Sequence, residues 1–159
     1  MAFLKGMVQN PVLVAAVLGW FVAQVLKTVI HLMITRQLVW ERMVGSGGMP
    51  SSHSATVCAL AAATGIQYGS DSFAFAIAVI LAIIVMHDAM GVRRETGIQA
   101  RVLNEMMSLF REMGTKMSVE DKLKEFVGHT PIQVWMGGLL GVLTGFITCH
   151  FMVEGYRIF

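Results

Sequence analysis

The chain has 159 residues, of which 55% are hydrophobic and 14% charged, with a mean hydropathy of +0.66. Soluble domains carry about a quarter charged residues, so this balance excludes an ordinary water-soluble domain and points to a bilayer. A formal charge of +2 is too small to suggest a nucleic-acid partner, and Cys58 and Cys149 both lie in apolar runs, which argues against a disulfide framework.

Four stretches approach the ~20 apolar residues that a bilayer requires, at 11–34, 52–68, 73–92 and 131–153. Pro11 suits the first turn of the first helix. A single Lys5 and no small-residue cleavage pattern precede it, so this run reads as a retained helix and not a signal peptide. The second run carries Ala55, Ala59, Ala62 and Ala63, a small-residue face that another helix can approach closely. After the third run, Ile98, Val102, Met106, Leu109 and Met113 recur at helical spacing, with Arg101, Glu105, Arg111 and Glu112 on other faces. This pattern predicts an amphipathic helix on the membrane or over the bundle. "SVEDKLKEFVG" then opens like a capping box at Ser118 and Asp121 and closes on Gly128, which predicts a second short helix and places interfacial helices at about 97–127. The fourth run spaces Gly137, Gly141 and Gly145 four residues apart. The expected fold is all-α: one membrane-embedded domain over 1–159, an integral membrane bundle of about four transmembrane helices plus one or two short amphipathic helices.

Four spans put both termini on one side, with Lys5 and Arg157. The other side holds Arg36, Arg42, Arg93, Arg94, Arg101, Arg111, Lys116, Lys122 and Lys124. The positive-inside bias makes that second side cytoplasmic. The expected location is a bacterial inner or plasma membrane.

The unusual polar clusters fall on the same charged side. "GSGGMPSSH" enters the second span, "HDAMGVRRETG" leaves the third and "GHTPIQV" enters the fourth. Lys27 lies about two turns inside the first span, with Gln24 and His31 on its face; ionisable groups at such depth face a bundle interior or a wet cavity. These parts suit a phosphate. Gly47 and Gly48 can form an anion nest, and Ser51 and Ser52 stand at a helix N-terminus where free amides favour negative charge. Lys27, Arg93 and Arg94 supply cationic donors. His53 and His129 start neighbouring spans, so one can attack while the other protonates a leaving oxygen. Each has a plainer reading. Ser51 and Ser52 make an N-cap, "TPIQ" is a capping box with Gln133 at its third position, and paired arginines commonly anchor span ends. His87 and Asp88, before the basic pair, are harder to explain that way. Three clusters on one face tip the balance toward a site. Neither a cofactor nor a metal is called for, since the five histidines lack ligand spacing with carboxylates or thiols.

"MPSSHSA" resembles the P-S-G-H motif of the type 2 phosphatidic acid phosphatase superfamily, which includes the vanadium haloperoxidases. "GHTPIQVWMGGLLGVL" resembles that superfamily's last motif. With "DAMGVRRETGIQARVLN", the set looks like the divergent branch of the superfamily, small membrane proteins, from Lys27 to Leu143. The resemblance implies His129 as a nucleophile forming a phosphohistidine and His53 as the acid for the departing alkoxide. It implies Lys27, Arg93 and Arg94 as holders of the phosphoryl oxygens. Three departures stand out. Ser52 replaces the motif glycine, Gln133 stands where an orienting aspartate is usual, and Leu123 replaces an arginine six residues before the nucleophile.

The sequence thus implies a metal-independent membrane phosphatase acting on a lipid phosphate monoester or diphosphate from the cytoplasmic face, with Gln133 and Asp88 in support. Its partners are the lipid substrate and the bilayer, and a homo-oligomer is left open. The alternative is a non-catalytic lipid-phosphate binding or transport protein with a degenerate phosphatase site. A third reading is a proton-coupled transporter using His31, His87 and Asp88.

Overall fold

A computed structural model describes residues 1–37, 48–113 and 129–157. It contains helices α1 (Ala2–Gln9), α2 (Pro11–Thr35), α3 (Ser52–Tyr68), α4 (Phe73–Met90), α5 (Val92–Glu112) and α6 (Pro131–Arg157), and no strand among the described residues.

Local chemistry sets most of the helix ends. The Asn10 side chain accepts from the amides of Val12 and Leu13 at 3.0 and 3.2 Å, while its own extended backbone separates α1 from α2. Ser51 caps α3 through the Ser54 amide, and Ser72 caps α4 through the Phe75 amide. Gly69, at φ +88°, ends α3 in a conformation suited to glycine. Gly91 ends α4 with its amide on the His87 carbonyl at 2.9 Å, and α5 starts at the next residue.

Three helices, starting at Pro11, Phe73 and Pro131, are long and apolar enough to cross a membrane. The 17 residues of α3 rise only about 25 Å, short of the ~30 Å hydrocarbon core. This helix occupies the centre of the bundle, packed against α2, α4 and α6. Its Ala55–Ala59 ridge is gripped from both sides. On α6, a Cβ at Gly137 would overlap the Ser51 carbonyl, and one at Gly141 the Ala55 carbonyl. On α2, a Cβ at Gly19 would come within 2.9 Å of the Ala55 oxygen and the Ala59 Cβ. Large apolar side chains turn outward, as Ile77, Ile80, Ile83 and Ile84 do on α4, whose buried residues are Ala78, Ala82 and Ala89. Small residues inside and large ones outside is the packing expected where lipid, not water, surrounds the helices.

The all-α membrane bundle agrees with the sequence expectation, with differences in detail. The short helix α1 was not anticipated. The third apolar stretch breaks at Gly91, so that α5 begins at Val92 and not near 97. The fourth continues to Arg157. The second interfacial helix expected near 118–128 lies outside the described residues.

The bundle has two distinct ends. At one, Val12 and Ala15 of α2, Ala63 of α3 and Cys149 of α6 pack together, next to the N-terminal helix. The other collects the end of α4 and the starts of α3 and α6.

Candidate functional site

His129 is the anchor of this second end. Its side chain and backbone together are 4% exposed, and its amide donates to the Ala89 carbonyl in the last turn of α4 at 3.1 Å. That carbonyl belongs to the set a helix C-terminus leaves without an intrahelical donor, so the start of α6 caps the end of α4. The chain then enters α6 through Thr130 and Pro131.

Gln133 ties three parts together. Its Oε1 accepts from the Thr130 amide at 3.1 Å and faces His129 Nδ1 at 3.2 Å. Its backbone carbonyl accepts from the Ser51 amide at 3.0 Å. The cap and the orienting contact, which the sequence posed as alternatives, are made by one oxygen. The pattern also fixes a tautomer. The Thr130 N–H can only donate, so the amide atom facing it is the oxygen. The same oxygen can only accept from His129, so in the neutral imidazole Nδ1 carries the hydrogen and Nε2 the lone pair.

Through the Ser51–Gln133 bond the start of α3 is held against the start of α6. Ser51 is fully buried, and its hydroxyl accepts from both the amide and the hydroxyl of Ser54, the latter at 3.1 Å. Ser52 is buried beside it. His53, one residue on, is half-buried with its Nδ1 edge turned inward. The two histidines therefore sit on helix starts joined by a backbone hydrogen bond.

Lys27 reaches the same region from α2. It is 3% exposed, and its Nζ donates to Gln24 Oε1 at 2.7 Å. Gly48 lies on its aliphatic stem: a Cβ there would come within 3.2 Å of Lys27 Cγ. At φ +84° Gly48 also holds a backbone conformation that other residues rarely adopt. The glycine loop and the lysine, 21 positions apart, are thus one structure.

The structure joins Lys27 to Gly48, Ser51 to Gln133, Gln133 to His129 and His129 to the end of α4. Asp88 is half-buried in that last turn, next to Ala89. Arg93 and Arg94 lie in the first turn of α5, just beyond the same end; their side chains, and Gly47 altogether, lie outside the described residues. His31 is half-buried one turn beyond Lys27, and His87 is exposed. His150 is exposed and stacks edge-on with Phe151 at 5.6 Å, toward the opposite end of α6. No three His, Cys, Asp or Glu side chains gather among the described residues. Gln24, like Ser54, takes part without a role assigned from the sequence. Its signal was its place one turn before a lysine on an apolar helix.

The helical bundle, with its long apolar helices, is that of a membrane protein. Residues 8–144 match the divergent PAP2 family, and the chain belongs to it. A relative is the membrane protein YuiD of Bacillus subtilis (strain 168), described as uncharacterized. It is 40% identical over 140 residues, covering 82% of this chain and 89% of that one. No solved structure matches the chain.

Proposed function

We propose that this protein is a membrane phosphatase that hydrolyses a lipid phosphate monoester or diphosphate through a phosphohistidine, with its site on the cytoplasmic face and both termini opposite. The observation that carries the proposal is the double use of Gln133 Oε1, which leaves the lone pair of His129 on Nε2. A neutral amide at this position does the orienting work of a carboxylate, though without its charge.

In the first step His129 Nε2 attacks phosphorus and forms a P–N bond. The bond from phosphorus to the leaving oxygen breaks, and protonated His53 gives its proton to that oxygen. Nδ1–H stays on Gln133 throughout. In the second step water attacks phosphorus, neutral His53 takes the water proton, the P–N bond breaks and inorganic phosphate departs. Lys27, Arg93, Arg94 and the amides around Gly47, Gly48, Ser51 and Ser52 hold the phosphoryl oxygens, with Asp88 behind them. A lipid substrate is favoured by position. Ile132 and Trp135, in the first turns of α6, are 68% and 65% exposed, so apolar surface adjoins His129.

The test is phosphate release by the purified chain in nanodiscs over phosphatidate, phosphatidylglycerophosphate and polyprenyl diphosphate. Turnover by the wild type is expected, with a loss of at least about 10²-fold in His129→Ala. Binding of these lipids without turnover would replace this reading with the non-catalytic binding or transport protein.

A further inference from the structure

We propose that Gln24 is a positioning residue that holds the Lys27 ammonium in place for a phosphoryl anion; the inference rests on the phosphate-site reading above. Lys27 lies eight residues before the end of α2, about 12 Å along the axis. A lysine at such a place ordinarily stretches its stem toward the nearer polar surface. Here the ammonium is turned the other way. Its Nζ bonds to Gln24, one turn toward the opposite end of the bundle, and both residues are 3% exposed.

The lysine is held on two sides. Gln24 fixes the head group, and Gly48 lies against Cγ and Cδ, which its Cβ would meet at 3.2 and 3.4 Å. Burying an ammonium inside a membrane helix is costly, and an ionisable group at such a depth pairs within the bundle and marks a functional site. The chemistry of the pair is specific. An ammonium only donates, so the amide atom facing it is Oε1, and the Gln24 NH₂ group points elsewhere as a further donor. As a neutral acceptor, Gln24 itself offsets none of the Lys27 charge. A carboxylate would cancel it.

That difference separates positioning from mere structural support. Gln24→Glu still satisfies Lys27, so a structural role predicts a variant that behaves like the wild type. The positioning role predicts a folded protein that has lost its anion. The experiment measures inorganic phosphate binding by calorimetry, with thermal unfolding alongside, on the full chain in nanodiscs. Wild type is expected to bind. Gln24→Glu should melt no lower than wild type yet bind phosphate at least about tenfold more weakly. Gln24→Met, which removes the acceptor and keeps the bulk, should weaken binding by a similar factor and raise KM for lipid phosphate more than it lowers kcat. It carries the same criterion if the glutamate variant does not fold. Phosphate affinity within about twofold of wild type in the tested variant overturns the role of Gln24 while leaving the site intact. Failure of the wild type to bind phosphate overturns the site itself and this inference with it.

Discussion

Replacing Gln133 by glutamate tests the link between geometry and chemistry most directly. The side chain keeps its length, so it can still accept from the Thr130 amide and face His129 Nδ1. As a cap at the start of α6, the new carboxylate is neutral or stabilising by ~0.5 kcal/mol through the helix dipole. Its effect on the imidazole is larger. A unit charge 3.2 Å from Nδ1 favours the imidazolium by about 1.3 kcal/mol with the dielectric of water and by about 5 kcal/mol at an effective value of 20. His129 is almost wholly buried, which places it above the lower bound. The new carboxylate beside Nδ1 therefore raises the pKa of His129 in the variant. The attacking form is the neutral ring, so its population is lost at pH values below the raised pKa. The acid limb of kcat/KM for phosphate release should then move to higher pH by at least about one unit. The assay is a pH–rate series on phosphatidate in nanodiscs, with thermal unfolding as the control. Superimposable profiles for wild type and variant, with equal stability, would show that Gln133 is only a cap and would remove the tautomer argument.

The helix contacts make a second prediction: Gly141→Val should destabilise the bundle by at least about 1–3 kcal/mol, because its Cβ would overlap the Ala55 carbonyl, where backbone and not a flexible side chain must move. Gly6→Val, with nothing within 4 Å of its Cβ, should melt like the wild type; equal melting of the two variants refutes the packing account. A third prediction concerns metal: the proposed route needs none, so phosphate release should survive EDTA, and loss of turnover restored by added magnesium would contradict it.

Much of this molecule is legible in one dimension, and the reason is that those features are local. The thickness of a bilayer sets the length of an apolar run, so the stretches beginning at Pro11, Phe73 and Pro131 could be found by reading along the chain. Caps are equally local. Ser51 and Gln133 bond within three or four residues, so their motifs announce helix starts wherever those helices go. The residue types of the candidate site were visible for the same reason.

Which helix meets which was decided in three dimensions. Gly137, Gly141 and Gly145 offer a close approach to any small-residue helix, and Gly19 does too. Only the packed bundle puts the Ala55–Ala59 ridge between them and makes the shortest of these helices its centre. The contacts that turn separate motifs into one site span long separations: Lys27 against Gly48, Ser51 on Gln133, His129 on Ala89. The identity of Gln133 suggested both a cap and an orienter. Tertiary structure made it both, because the amide that needs an acceptor and the imidazole that needs a direction fall on either side of the same oxygen.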